Sequence, residues 1–335
     1  MLRVVTAPTC CSACHRGERG ILVIETSVVI PTAGKRPEQL RAAVESVIYQ
    51  KDCNPAEIIV VDDSESGTVR DQLRDVDADK RLVVVRAPRQ SALGQRTIGV
   101  RHAAGRWIAF LDDDDQWESN KLTEQIRMAE QIERSGNRPI ISSRVRHTFD
   151  HDAEVHGVPA RLITPGMDVS EYLFYRRSPS SLRESIFTST LLVEAELARS
   201  VPWRRLPRHQ DWDWLLRAAR QPSVVVQHHP DELATIHVGS ANSISASNDW
   251  EKSLRWADSV GSEGLMTTCA YADFLVAQTM RYALGSRSPR GVALITRRLV
   301  ALGKAPSLRA VVIGFSGIVP RRGLQRLMSL APGSP

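Results

Sequence analysis

Residues 106–117 read Arg106-Trp107-Ile108-Ala109-Phe110-Leu111-Asp112-Asp113-Asp114-Asp115-Gln116-Trp117, an apolar run that stops in four consecutive carboxylates. The run from Trp107 to Leu111 is short and bounded by Gly105 and the aspartates, which is the pattern of a buried strand. Such a strand delivers the acidic cluster to the edge of a sheet, and in open α/β sheets that edge is where ligands bind. Adjacent carboxylates repel and raise one another's pKa. A divalent cation removes that penalty, and Mg²⁺ and Mn²⁺ prefer oxygen ligands. The plainer reading is a solvated acidic loop capping the next helix. The strand in front and Trp117 behind favour a site.

Working outward, Thr26 to Ile30 is a strand closed by Pro31-Thr32, and Pro37 opens a helix on which Leu40, Val44, Val47 and Ile48 share a face. Glu57 to Val61 is a second strand, ending in Asp62-Asp63-Ser64, and Arg81 to Val85 a third. Helical segments are expected over 68–74, 91–104 and 118–134. Four strand–helix alternations predict a parallel sheet with helices on both faces. Both carboxylate clusters, after strands two and four, then fall on the same edge. Neither a GxGxxG dinucleotide fingerprint nor a P-loop follows the first strand.

Beyond residue 137 the alternation loosens. Strands are expected at 140–145, 187–192, 223–226 and 232–237, with a loop region over 147–185 that holds one short helix near 169–175, and a helix over 194–200. In Arg208-His209-Gln210-Asp211-Trp212-Asp213-Trp214-Leu215-Leu216-Arg217, the residues Trp212, Leu215, Leu216 and Ala219 mark a buried helix face. Asp211 lies in its first turn, where capping is the ordinary role. From residue 249 onward the pattern is helical.

The chain has 335 residues, room for one large domain or a catalytic domain with an appendage, and a net charge of +6. From Arg281 to the end there is no Asp or Glu, a balance that suits an anionic membrane surface, a polyanion or a phosphorylated ligand, or simply a solvated helix face. No run approaches the roughly 18 apolar residues of a membrane span. Five cysteines, Cys10, Cys11, Cys14, Cys53 and Cys269, fit no zinc-finger spacing, and their odd number suits a reducing compartment, hence a cytoplasmic location. Residues 1–25 read as an arm ahead of the first strand.

The chain resembles the inverting family 2 glycosyltransferases in a series of ordered landmarks. Ser27-Val-Val-Ile-Pro-Thr32 is similar to the family's opening strand and turn, and Glu57-Ile-Ile-Val-Val-Asp-Asp-Ser64 to E-I-I-V-V-D-D-G-S. Gln95-Arg96-Thr97-Ile98-Gly99 falls where A-R-N-x-G is usual, and Ala104 to Trp117 matches A-G-x-x-I-A-F-L-D-x-D-D-x-W. Gln210-Asp211-Trp212-Asp213 stands for E-D-W/Y-D, and His237 to Ser245 for the closing H-x-G-S-x-S turn. The resemblance covers about residues 26–245. Ala33-Gly34, Ser64, Thr97 and Gln210 depart from the pattern.

The resemblance implies a GT-A fold: α/β, a Rossmann-like central mixed, mostly parallel sheet flanked by helices. Residues 26–135 would form a nucleotide-sugar-binding half and 136–245 an acceptor half, with a C-terminal helical appendage over 246–335. The implied activity moves a sugar, with inversion, from a nucleoside-diphosphate donor to a hydroxyl acceptor such as a polysaccharide, glycolipid or metabolite. By resemblance, Pro31, Thr32, Asp62, Asp63, Arg96, Asp112, Asp113 and Asp114 belong to the nucleotide-sugar site. Asp114 and Asp115, with His237, would hold Mn²⁺ or Mg²⁺, and Asp211 would be the general base. A base needs a raised pKa, whereas a helix N-terminus lowers it, so burial among Trp203, Trp212 and Trp214 has to offset the helix. Two other functions compete: a sugar-phosphate nucleotidyltransferase, whose Gly-rich loop Pro31 to Arg36 matches poorly, and a non-catalytic sugar- or polyanion-binding protein. Nucleic-acid binding has only the basic tail in its favour. Packing on the catalytic domain, dimerisation and docking on a membrane face are the three uses open to the C-terminal helices.

Overall fold

The computed structural model describes residues 25–52, 57–76, 81–87, 94–149, 153–176, 184–239 and 248–318. Its first half contains β1 (Thr26–Thr32), α1 (Pro37–Ile48), β2 (Glu57–Asp62), α2 (Val69–Gln72), β3 (Leu82–Arg86), α3 (Gln95–His102) and β4 (Trp107–Phe110). The four strands lie parallel in the order β3-β2-β1-β4. Every residue of β1 and β4 is buried, as expected where helices cover both faces and strand sequences are apolar throughout. Close packing needs Gly99: a Cβ there would lie 2.3 Å from Val29 Cγ1, so only glycine lets α3 rest on β1.

The second half comprises β5 (Gln116–Trp117), α4 (Lys121–Arg134), β6 (Arg138–Phe149), β7 (Glu154–Val158), α5 (Val169–Phe174), a 3₁₀ turn (Thr188–Thr190), β8 (Leu192–Glu194), α6 (Ala195–Ser200), α7 (Gln210–Ala219) and β9 (Val224–Val238). The sheet continues from β4 through β8, β6 and β9 to β5, with β7 on β6. Here β8 is antiparallel to both β4 and β6, β6 and β9 run parallel, and β5 is antiparallel to β9, so the whole sheet is mixed.

Three local expectations change. The strands expected at 223–226 and 232–237 are one strand, because β6 pairs across the break: Ser143 faces His229, Arg144 faces Glu232, and Pro230-Asp231 bulge out between them. The loop region over 147–185 contains the strand β7. The segment expected as a strand at 187–192 instead turns through the 3₁₀ residues 188–190 and enters the sheet only at Leu192.

Among the described residues five helices follow: α8 (Trp250–Ser262), α9 (Thr268–Phe274), α10 (Arg281–Gly285), α11 (Pro289–Leu302) and α12 (Leu308–Phe315), with a π-helical turn at Leu275–Met280 joining α9 to α10. They pack on the sheet domain. Trp256 and Phe274 share one apolar core with Phe174, Trp203, Trp214, Phe110 and Val29. Buried Asp273 ties the two parts together: its carboxylate accepts from Arg176 N (2.8 Å), Ser307 N (2.7 Å) and Ser307 Oγ (2.6 Å). No helix among the described residues is long and apolar enough to cross a membrane. Cys269 is a free thiol, while Cys10, Cys11, Cys14 and Cys53 lie outside the described residues.

Candidate active site

The carboxyl ends of β1, β2 and β4 meet at one edge, as the strand order requires. Pro31 and Thr32 end β1. Pro31 sits in register with Val61, and Thr32 Oγ1 donates to Asp113 Oδ2 (2.6 Å) while accepting from Gly34 N (3.0 Å). Gly34 has φ +69°, and a Cβ there would strike Ser64 Cβ at 2.6 Å, so the turn after β1 needs glycine. That turn brings Arg36 over the acidic run, where its guanidinium binds Asp113 Oδ1 (2.6 Å) and Asp114 Oδ2.

At the end of β2 the two aspartates part. Asp62 is buried and bound by Ser64 N (2.8 Å) and Arg86 Nη1 (2.8 Å). Burial alone would raise its carboxyl, but Ser64 and Arg86 outweigh that and hold it below the usual range. Asp62 therefore fixes the turn and is closed off from the cleft, where it was expected to contact the nucleotide. Asp63 is half-buried and accepts from Gln95 Nε2 (2.7 Å).

The far side of the acidic run is held by the 3₁₀ turn. Ser189 Oγ accepts from Asp112 N (3.1 Å) and donates to Asp115 Oδ2 (2.5 Å), and Ser189 O accepts from Trp117 Nε1 (2.6 Å). One serine thus grips both ends of the run and the tryptophan behind it. No motif marks Ser189 in the sequence, and it is 74 residues from Asp115. Its only signal is the polar Thr188-Ser189-Thr190 within an otherwise apolar segment.

Arg96, at the start of α3, joins the two halves. One guanidinium nitrogen binds Asp112, another lies 3.8 Å from Asp211 Oδ1, and the group stacks over Trp203 at 4.9 Å. Trp203 itself stacks on Trp214, with ring centroids 4.9 Å apart and planes 5° from parallel. Asp211 sits in the first turn of α7, with 47% of its side chain exposed. Removal from bulk water raises its pKa, Asp112 adds to the rise and Arg96 opposes it. The direction is the one a general base requires, despite the helix N-terminus. Gln210 turns away, donating to Leu206 O (2.5 Å), a bond that a glutamate carboxylate could not donate.

The acidic run is electrostatically incomplete. Burial raises the pKa of Asp113, Asp114 and Asp115, and Asp112 adds repulsion at each; Arg36 opposes the rise at Asp113 and Asp114. The expected metal set of Asp114, Asp115 and His237 is not assembled. Among the described residues no three His, Cys, Asp or Glu side chains converge as ligands. Asp115 is committed to Ser189 and to His237 N (3.1 Å), so His237 contributes its amide while its buried Nδ1 has no hydrogen-bond partner. The chemistry still fits a hard divalent cation. Mg²⁺ is commonly held by one or two carboxylates completed by substrate phosphates. Asp112 and Asp114, both partly exposed, offer such oxygens, and Arg36 already stands in as a positive charge on Asp114.

The sequence model of glycosyl transferase family 2 matches residues 27–182, spanning β1 to the end of the acidic edge and on past α5. Over that segment, a little under half of the chain, the sequence is similar to this family. It is 28% identical over 216 residues to the amylovoran biosynthesis glycosyltransferase AmsB of Erwinia amylovora, covering 58% of this chain and 64% of AmsB. It is 32% identical over 102 residues to WfgD of Escherichia coli, named a UDP-Glc:alpha-D-GlcNAc-diphosphoundecaprenol beta-1,3-glucosyltransferase, covering 30% of this chain and 40% of WfgD. The chain thus spans less than two thirds of either relative. Among solved structures, S. aureus TarS 1-349 in complex with UDP-GlcNAc superposes with a TM-score of 0.56 at 15% identity over 83% of both chains, a likeness of fold alone. The fold is the GT-A type the family implies, a mixed sheet flanked by helices.

Proposed function

We propose that the protein is an inverting, metal-assisted glycosyltransferase that moves a sugar from a nucleoside-diphosphate donor to a hydroxyl of a surface-polysaccharide or lipid-linked precursor, on the cytoplasmic side. One observation carries the reading: Arg96 joins the acidic edge to Asp211, binding Asp112 with one guanidinium nitrogen and lying 3.8 Å from Asp211 Oδ1 with another. The names of AmsB and WfgD support the class of acceptor.

The acceptor hydroxyl attacks the anomeric carbon from the side of α7 as the bond from that carbon to the phosphate oxygen breaks. Asp211 takes the hydroxyl proton, and the nucleoside diphosphate leaves with the bonding electrons. Thr32 and Asp63 hold the nucleoside end, and Arg36 and Arg96 meet the diphosphate. A divalent cation on Asp112 and Asp114 would neutralise charge gathering on that leaving group. The raised pKa of Asp211 suits its role, because a base works best when its pKa approaches the operating pH.

The test is release of nucleoside diphosphate from a panel of nucleotide sugars presented with polyprenyl-diphosphate-linked sugars. Wild type turns over one donor, and Asp211→Asn loses roughly 10²–10⁴ in rate while still binding the nucleotide. Unchanged turnover by Asp211→Asn overturns the base assignment. No release from any donor by wild type overturns the transferase reading.

A further inference from the structure

The C-terminal helices present a face that the catalytic chemistry does not use. α12 seats on the π-helical turn through its small residues: Ala310 is buried, and a Cβ on Gly314 would lie 2.8 Å from Val276 O. With Ala310 and Gly314 turned inward, Leu308, Val312 and Phe315 fall at i, i+4 and i+7 on the opposite side. They are 81%, 65% and 57% exposed, and Ile318 continues the stripe at 62%. Single exposed apolar residues are ordinary, but a contiguous stripe marks a surface that is covered in use.

What covers it is indicated by charge. Residues 281–318 contain Arg281, Arg287, Arg290, Arg297, Lys304 and Arg309, with Arg298 engaged by Asp258 of α8 (3.0 Å), and no Asp or Glu. Arg290 and Arg297 lie with Leu294 on the exposed side of α11, and Lys304 is exposed in the link to α12. An exposed apolar stripe in a segment whose exposed charges are cationic is the composition of an interfacial helix on anionic lipid. A second copy of the chain is a poor occupant, since an isologous contact would set this cationic surface against itself.

We propose that the outward faces of α11 and α12 dock this protein on an anionic lipid bilayer. Leu308, Val312, Phe315 and Ile318 enter the acyl boundary, and Arg290, Arg297 and Lys304 meet lipid phosphates. The attachment is rigid with respect to the cleft. Ser307 caps α12 and binds Asp273, the same carboxylate that receives Arg176 N at the end of α5. A bilayer bound here is held in fixed relation to the acceptor half. The inference is independent of the transferase reading.

The full chain is sedimented with vesicles of phosphatidylcholine alone and of phosphatidylcholine mixed with phosphatidylglycerol, alongside light scattering for its mass and thermal melting for its fold. The expected result is a monomer that binds only the mixed vesicles and is released by salt. Replacing Leu308, Val312 and Phe315 together by Ser lowers partition at least tenfold. Arg290→Gln, Arg297→Gln and Lys304→Gln each lower it by roughly fivefold, with the melting temperature unchanged. Equal binding to both vesicle types overturns the proposal, as does a monomer that binds neither. A dimer broken by the triple Ser variant also overturns it and makes the stripe a protein interface.

Discussion

Asp211 and Asp213 stand two residues apart in the first turn of α7, one facing the cleft and one facing the interior behind it. Asp213 is 1% exposed and bound by Arg217 through two nitrogens at 2.8 Å, with Arg204 at 3.5 Å and Trp256 Nε1 at 3.4 Å. Asp211 has a single cation at 3.8 Å and an open flank. The same division runs through the molecule. In the interior, Asp62 and Asp273 have their oxygens filled by fixed donors. At the site, the partly exposed Asp114 and Asp211, each with one cation beside it, are held above their ordinary pKa. A carboxylate with its donors already supplied maintains the fold. One left short of positive charge is available to a ligand, a cation or a proton.

The contrast breaks first at α7. Asp213→Ala removes one partner of a buried pair and leaves Arg217 uncompensated, so urea unfolding should show a loss of about 3–5 kcal/mol. Asp211→Ala should change stability little. Equal losses from the two substitutions would erase the distinction.

A second test lies deeper in the interior. Burial pushes the His228 imidazole down to about 4, and its Nδ1 accepts from Ile163 N (2.9 Å). Between pH 4 and the ordinary imidazole value of 6.5 the unfolded chain binds the proton and the folded chain does not. Stability from His228 is therefore complete above that window and lost as pH falls through it, by up to about 3 kcal/mol. His228→Asn, which keeps an acceptor for Ile163, should flatten this limb of the stability–pH curve. An unchanged limb would show that the imidazole is not the titrating group.

The smallest effect belongs to the cleft. Arg36 occupies Asp113 and Asp114 where a cation would sit. Arg36→Ala should tighten Mn²⁺ binding in the absence of nucleotide by roughly fivefold, the scale of a partly exposed ion pair, as read by electron paramagnetic resonance. Weaker Mn²⁺ binding would mean that Arg36 helps to build the cation site instead of filling it.

The parallel half and the acidic run were legible because their signals are local: apolar runs buried on both faces, each ending in aspartates. The second half was less so, because its order is set across the sheet. Pro230 and Asp231 look like a strand end, and only pairing with β6 carries the strand past them. β7 is short and polar enough to pass for loop, and exists because β6 offers it an edge. In the cleft, Asp211 and Arg96 were visible through family landmarks. Ser189 and Arg36 were not, since both act on aspartates at least 74 residues away in sequence. The closing of Asp62 likewise depends on Arg86, 24 residues on.

The central claim is that the acidic edge binds a nucleoside diphosphate together with a divalent cation while Asp211 stands apart from that binding. Thermal shift of wild type and Asp211→Asn against UDP, GDP, TDP and CDP, each with and without Mn²⁺, tests it most directly, because a ligand of the folded state must raise its melting temperature. The account predicts that one nucleotide stabilises both proteins, and only when the metal is present. If no nucleotide stabilises wild type with Mn²⁺, or if Asp211→Asn loses the shift, the account is contradicted.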